Sequence, residues 1–171
     1  MLTLLCFSGF QTLIGQVDVK SLPVYFYVRF TYTDYHTANW PIPFELEMLN
    51  VGGAMDLRSG KFTAPRDGTY TFSFTGSAFF KIPSSGVVPS RQSLYVSIRL
   101  NGNSIGSGHA DETSITTDQF ETFSVQSTVN LQKGDQVWCQ IDGFSYADLS
   151  ADSSFSGWLL EENMSQLVRA A

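Results

Sequence analysis

Apolar and polar residues alternate with a period of two along much of the chain, most clearly between residues 69 and 75. In that run the rings of Tyr70, Phe72 and Phe74 fall on one side, and only hydroxyl-bearing residues fall on the other. Strict alternation indicates a half-buried β-strand, because the 3.6-residue repeat of a helix would scatter the rings around its axis. The Pro-Arg-Asp-Gly sequence at 65–68 predicts a turn before this strand.

Further segments alternate in the same way, at residues 24–30, 94–100, 123–131, 136–141 and 155–160. Asn101-Gly102 is a strong hairpin signal, because a type I′ turn needs positive φ at both positions. It predicts a short return strand at 104–108, and Lys133-Gly134-Asp135 predicts a second turn. Residues 24–30 are large on both faces, so we expect neither face of that strand to meet bulk water.

The intervening segments are polar or rich in Ser, Gly and Pro, and we expect loops at 31–43, 79–91, 110–119 and 142–154. No segment shows convincing helical periodicity. At least eight short strands with turns at regular intervals predict an all-β sandwich or barrel.

Composition agrees with one β-rich domain. Of the 171 residues, 15% are charged and 14% are aromatic, and aromatic and hydroxyl-bearing side chains suit a pleated surface. The net charge of −6, with no cluster of Lys or Arg, argues against a nucleic-acid partner. No collagen triplets or sustained heptads occur in the sequence.

The first fifteen residues are apolar and uncharged, too short to span a bilayer and about the length of the apolar core of a signal peptide. We expect residues 1–15 to be a cleaved secretory signal peptide, truncated or atypical because no positive residues precede the apolar run. The alternatives are an apolar first strand or a wrongly assigned start. Residues 16–23 are then a short linker, 24–162 a globular domain and 163–171 a mobile tail, and we expect an extracellular protein without a membrane span.

Two cysteines are present, and Cys6 would leave with the signal peptide. Cys139 alternates with Val137 and Ile141 on an inward face, where a lone cysteine is usually a small buried apolar residue. We therefore expect no disulfide, and no spacing of cysteines and histidines suggests a metal site.

Residues 24–161 resemble the globular head domain of complement component 1q. The family's spacing is seen in one set of core and turn residues: Phe44, Asn50, Phe62, Gly68, Tyr70, Phe72, Phe74, Gly134, Asp135, Phe155 and Gly157. Met55 departs from the pattern where an aromatic residue or Leu is usual, and Trp158 stands where Phe is commoner. The resemblance implies a ten-stranded jelly-roll sandwich, shared with tumour necrosis factor, that forms a homotrimer and acts as a secreted, non-enzymatic recognition module.

Four aromatic residues are candidates for the trimer interface. Tyr25 and Tyr27 belong to a strand that is aromatic on both faces, and Trp138 and Trp158 fall on the faces opposite their inward neighbours. A monomer would expose them as a large apolar patch, which soluble monomers rarely do. The alternative is that these rings cover the core inside one subunit.

Catalysis is not expected, because His36 and His109 are the only imidazoles and neither has a nucleophile motif beside it. We expect no cofactor. Calcium is the alternative, with loop carboxylates as candidate ligands: Asp111, Glu112, Asp142, Asp148 and Asp152. No dense calcium-binding loop is present, and scattered carboxylates are usually solvated. Asn163 begins a formal N-glycosylation sequon.

Loops on a rigid scaffold carry specificity in such folds, here at 31–43, 81–91, 110–119 and 142–154. Their aromatic and imidazole side chains, Tyr35, His36, Trp40 and Tyr146, either stack on a sugar or protein partner or pack onto the subunit. Two functions remain open. One is an innate-immune module that binds carbohydrate, lipopolysaccharide or protein patterns, and the other is a cytokine-like or synapse-organiser-like ligand of a cell-surface receptor. A component of the extracellular matrix or of a secreted coat is a third hypothesis.

Overall fold

The structure, a computed structural model, describes residues 22–33 and 35–163. The expected signal peptide, most of the linker and the tail after Asn163 lie outside these residues. The described residues form eleven strands: β1 (Tyr25–Arg29), β2 (Leu46–Val51), β3 (Met55–Asp56), β4 (Lys61–Thr63), β5 (Gly68–Phe80), β6 (Gln92–Leu100), β7 (Asn103–Glu112), β8 (Gln119–Leu131), β9 (Gln136–Ser145), β10 (Ala147–Leu149) and β11 (Ser154–Glu162). No helix occurs among them.

The strands make two antiparallel sheets. One has the order β10-β5-β11-β1-β2, with β8 also paired to β5, and the other has the order β3-β4-β9-β6-β7. We call them the six-stranded and the five-stranded sheet. The all-β jelly-roll prediction is confirmed, with eleven strands in place of the expected ten.

Aromatic rings from both sheets fill the space between them. Phe62 of β4 lies 5.4 Å from the ring of Phe26, 5.5 Å from Tyr70 and 5.3 Å from Phe72, between ring centroids. All four side chains are buried. The Tyr70 hydroxyl donates a hydrogen bond of 2.9 Å to the Arg66 carbonyl, so its one polar atom is satisfied. Edge and offset ring contacts of this kind add to the stabilisation from apolar burial.

The small and polar residues of the family spacing have structural explanations. Gly157 pairs with Phe26 on one side and Phe72 on the other, and a Cβ there would lie 2.6 Å from a Phe72 ring carbon. The Asn50 side chain donates to the Met55 carbonyl (2.9 Å) and accepts from the Met55 N–H (3.2 Å), which closes the turn between β2 and β3. Gly134 has a φ of +94°, a backbone conformation that favours glycine.

Several predicted boundaries are wrong. The loop expected at 79–91 begins only after Phe80, because Phe79 and Phe80 pair with β8 and β10. The return strand expected at 104–108 is longer in the structure, where β7 extends to Glu112, and the loop expected at 110–119 is correspondingly shorter. The loop expected at 142–154 contains the end of β9, all of β10 and the first residue of β11. In β1, one face meets solvent in the single chain, since Tyr25 and Tyr27 are 38% and 36% exposed.

Candidate functional site

The four loops expected to bind ligands emerge from one end of the sandwich. Residues 81–91 join β5 to β6, 113–118 join β7 to β8, 146–153 lie between β9 and β11, and 30–45 follow β1. The strand register places these connections together, since Phe80 pairs with both Gln119 and Ala147, and Gln92 pairs with Glu112. We call this the loop end.

Short turns occupy the opposite end and hold one another. The Asn101 side chain donates to the Asp135 carboxylate at 2.8 Å and accepts from the Gln136 N–H at 2.9 Å. Lys133 donates its backbone N–H to the Asp67 carboxylate at 2.7 Å. The two predicted turns and the turn before β5 therefore form one hydrogen-bonded base, the turn end.

A cavity of about 750 Å³ opens at the loop end. It brings together three of the sequence-predicted residues, His36, Tyr146 and Asp148, with two that were not singled out, Lys81 and Phe144. The remaining lining residues are Ile82, Pro83, Ser84, Ser145 and Ala147. We call this cavity the loop-end groove. Phe144 carries a detectable signal, as an aromatic residue in a loop segment expected to bind ligands, two residues before Tyr146, whereas nothing in the sequence marks Lys81.

Asp148 forms the base of the loop-end groove. Its side chain is only 15% exposed, and its two oxygens lie 3.0 Å from His36 Nδ1 and 2.9 Å from Lys81 Nζ. The Lys81 ammonium also lies 5.3 Å from the centroid of the Phe79 ring. A carboxylate held between two basic groups is electrostatically compensated and fixed in position.

The other two aromatic candidates lie apart from the groove. The Tyr35 ring makes an edge contact with Phe30 at 5.4 Å, and its backbone pairs with Leu149. Burial raises the pKa of the Tyr35 phenol above its usual value. Tyr35 thus packs onto the subunit, while Trp40 is 68% exposed and does not line the groove.

The calcium candidates do not converge. Each of the other three candidate aspartates contacts a cation of its own: Asp111 with Arg91 (3.3 Å), Asp142 with Arg99 (2.6 Å) and Asp152 with Arg29 (2.8 Å). Glu112 lies at the end of β7, paired with Gln92. Within residues 22–33 and 35–163, no three His, Cys, Asp or Glu side chains are grouped as a metal would require.

Three of the four trimer candidates share one surface. Tyr25 on β1 pairs directly with Trp158 on β11, and both face outward from the six-stranded sheet beside Tyr27. Trp138 lies instead on the five-stranded sheet, where the Lys61 ammonium is 4.6 Å from its ring centroid and Arg99 is its neighbour across the strands. We call the first group, Tyr25, Tyr27 and Trp158, the aromatic face.

The remaining candidates have ordinary surroundings. Cys139 is fully buried, as predicted, and burial raises the pKa of its thiol well above the usual value. His109 stacks on Tyr95 at 5.4 Å between centroids, and its Nε2 lies 3.4 Å from Asp111. Asn163 is the last described residue, so the rest of its sequon lies outside the description.

Comparison with known proteins matches residues 25–160 to the C1q domain family model. The chain is 30% identical over 131 residues to complement C1q tumor necrosis factor-related protein 3 of Mus musculus, covering 76% of this chain and 48% of that protein. It is 32% identical over 154 residues to caprin-2 of Danio rerio, covering 83% of this chain and 16% of that protein. The chain thus spans about half or less of the length of each of these relatives.

Among solved structures, the globular domain of zebrafish complement 1qA protein aligns with a TM-score of 0.53 at 18% identity. The alignment covers 82% of this chain and 99% of that one. At this identity the likeness concerns the fold. Within the described part of the chain, no helix has the length and apolar character to cross a membrane.

Proposed function

This chain belongs to the C1q domain family, and from that premise we propose that it is a secreted homotrimeric module of innate immunity. It would bind carbohydrate, lipopolysaccharide or protein patterns without catalysing a reaction. Family membership supports a non-enzymatic ligand-binding role, and the names of its relatives refer to complement and to tumour necrosis factor.

The aromatic face is the main structural support for the proposed trimer. Tyr25, Tyr27 and Trp158 are each more than a third exposed, and Leu46, Met48 and Leu160 on β2 and β11 of the same sheet are exposed as well. Large contiguous apolar patches are uncommon on soluble monomers and usually mark an interaction site. A second and a third copy of the same chain are the partners that the family offers for this surface.

Light scattering of the purified protein tests the trimer. We expect a mass near three subunits, each of 18.9 kDa less any removed segment. Trp158→Glu should lower that mass, because it places a charge in a buried apolar interface. Trp138→Glu is the matched control, since the new carboxylate would lie between Lys61 and Arg99 and should be tolerated. A monomeric wild-type protein, or equal masses for both variants, would contradict the proposal.

Recognition by a trimer would depend on repeated weak contacts. Three loop ends on one particle bind a multivalent surface far more tightly than one does, because the second and third contacts are intramolecular. We therefore expect Trp158→Glu to weaken binding to immobilised bacterial glycans or lipopolysaccharide much more than binding to a soluble monovalent fragment. Equal losses in both formats would argue against avidity.

The alternative is a receptor ligand, and the names of the tumor necrosis factor-related relatives favour it. Such a ligand would bind one cell-surface protein with saturable nanomolar affinity and show no preference among glycans. Binding titrations on intact cells, before and after enzymatic removal of surface glycans, separate the two functions. Persistent saturable binding after deglycosylation would favour the receptor ligand.

A further inference from the structure

Resting on the recognition role proposed above, we propose that the loop-end groove is a binding site for a neutral saccharide. The groove volume of about 750 Å³ falls within the roughly 300–1,000 Å³ typical of small-molecule sites. Such sites combine apolar and aromatic walls with a few well-placed polar groups. The loop-end groove has both components, contributed by three separate segments of the chain.

Aromatic rings supply the walls. Phe144 is 43% exposed and its ring centroid lies 5.6 Å from that of His36, while Tyr146, which also lines the groove, is 61% exposed. Tyr146 has a φ of +51°, a left-handed conformation that bulky residues rarely adopt. Backbone strain of this kind persists only where the surroundings impose it and is concentrated at functional sites. The C–H face of a pyranose ring is apolar and packs against such exposed rings.

Polar groups lie at the base and edges of the same groove. Asp148 supplies carboxylate oxygens, Lys81 supplies an ammonium group, and Ser84 and Ser145 line the wall. Hydroxyl groups both donate and accept hydrogen bonds, so a sugar can use donors and acceptors that lie side by side. The groove therefore matches a ligand with one apolar face and a hydroxyl-bearing edge.

The ion pairs argue for an uncharged ligand. A sulfate or phosphate group would meet the Asp148 carboxylate, and a cationic group would compete with Lys81, which already lies 2.9 Å from that carboxylate. Separating a partly buried ion pair leaves an uncompensated charge, which is costly. A neutral sugar can hydrogen-bond to the pair without separating it.

Dextran and dextran sulfate form a matched probe pair, because they share a glucan backbone and differ in charge. Mannan provides a second neutral polysaccharide. We expect the full chain to bind immobilised dextran or mannan in preference to dextran sulfate in a surface plasmon resonance titration. Phe144→Ala and Tyr146→Ala should each weaken that binding by about tenfold, the loss that truncation of a central aromatic contact produces. Tyr95→Ala is the control, since Tyr95 is partly exposed on β6 and does not line the groove.

Asp148→Asn tests the charge argument with almost no change of shape. The amide retains an acceptor oxygen but removes the negative charge from the groove base. We expect weaker binding to the neutral polysaccharide and a relative gain for dextran sulfate. Thermal unfolding of each variant, followed by circular dichroism, identifies any variant that has lost its fold.

The outcomes separate this site from the broader function. If Phe144→Ala and Tyr146→Ala bind a neutral polysaccharide as well as the wild-type protein does, the saccharide binds elsewhere and the loop-end groove is not its site. The proposed recognition role would be unaffected by that result. Preference of the wild-type protein for dextran sulfate would contradict the proposal that the ligand is uncharged. No binding to dextran or mannan would overturn the saccharide site, whereas the trimer and its protein ligands are tested by the scattering and cell-binding experiments.

Discussion

Gly157→Ala should destabilise the domain by overpacking the aromatic core. A Cβ at this position would lie 2.6 Å from Phe72 Cδ1 and 2.7 Å from Phe26 Cε1. Both rings are buried and held by further ring contacts, so neither can move aside without cost. Added carbon in a well-packed core costs about 1–3 kcal/mol. Replacing Gly also returns about 0.4–1 kcal/mol by restricting the unfolded chain, so the net loss should be about 0–2.6 kcal/mol.

Gly143→Ala is the matched control. Gly143 also lies in a strand, its φ is not positive, and a Cβ there would meet no atom within 4 Å. The gain through the unfolded chain is common to both variants, so their difference in unfolding free energy isolates the overpacking of about 1–3 kcal/mol.

Urea denaturation at one fixed protein concentration measures that difference, because unfolding of an assembled protein depends on concentration. The dependence of free energy on urea should stay the same, and only the midpoint should move. Phe26→Leu in the Gly157→Ala background should recover part of the loss, since contacting residues are not additive. Equal midpoints for Gly157→Ala and Gly143→Ala would refute the close packing described for this strand.

Two further predictions concern titratable groups in the core. Burial raises the pKa of Tyr70 above its usual 10.0, so its contribution to stability is complete below pH 10 and is lost as the pH rises through the raised pKa. Tyr70→Phe should therefore cost about 1 kcal/mol at pH 7 by losing the hydrogen bond to Arg66, and should flatten the fall in stability above pH 10 in alkaline denaturation curves. Cys139 should resist a thiol reagent in the native protein and react only as fast as the domain unfolds, because the buried thiol disfavours the reactive thiolate. Rapid native labelling would contradict its burial.

The sequence predicts strands well where one face meets the core and the other meets water or a partner. In β5 the alternation of Tyr70, Phe72 and Phe74 with hydroxyl-bearing residues matches the alternation of burial. In β7 the pattern is absent, because Gly106 and Gly108 leave room for Val125 and Phe123 of β8. The side chains that fill this layer belong to another strand, so no local pattern reveals the full length of β7.

The candidate site was predictable only in part. Loop position and residue type nominate His36, Tyr146 and Asp148 individually, but their meeting with Lys81 depends on the register of β5, β9 and β10. Tyr35 and Trp40 are aromatic like Tyr146 and lie in the same loop as His36, yet neither lines the groove. Strand pairing brings these residues together from distant parts of the chain, so their spacing in the sequence does not predict that they meet.

The turn end also determines how the domain can be tethered. Arg66 contacts both the Leu22 carbonyl and the Glu162 carboxylate, and the Leu159 N–H donates to the Val24 carbonyl. The first and last described residues therefore leave the sandwich side by side, beside the turn that precedes β5. A stalk, a surface anchor or an engineered fusion joined at either point would extend away from the loops. The domain can thus be immobilised through either of these points for binding measurements with all of its loops presented to the solution.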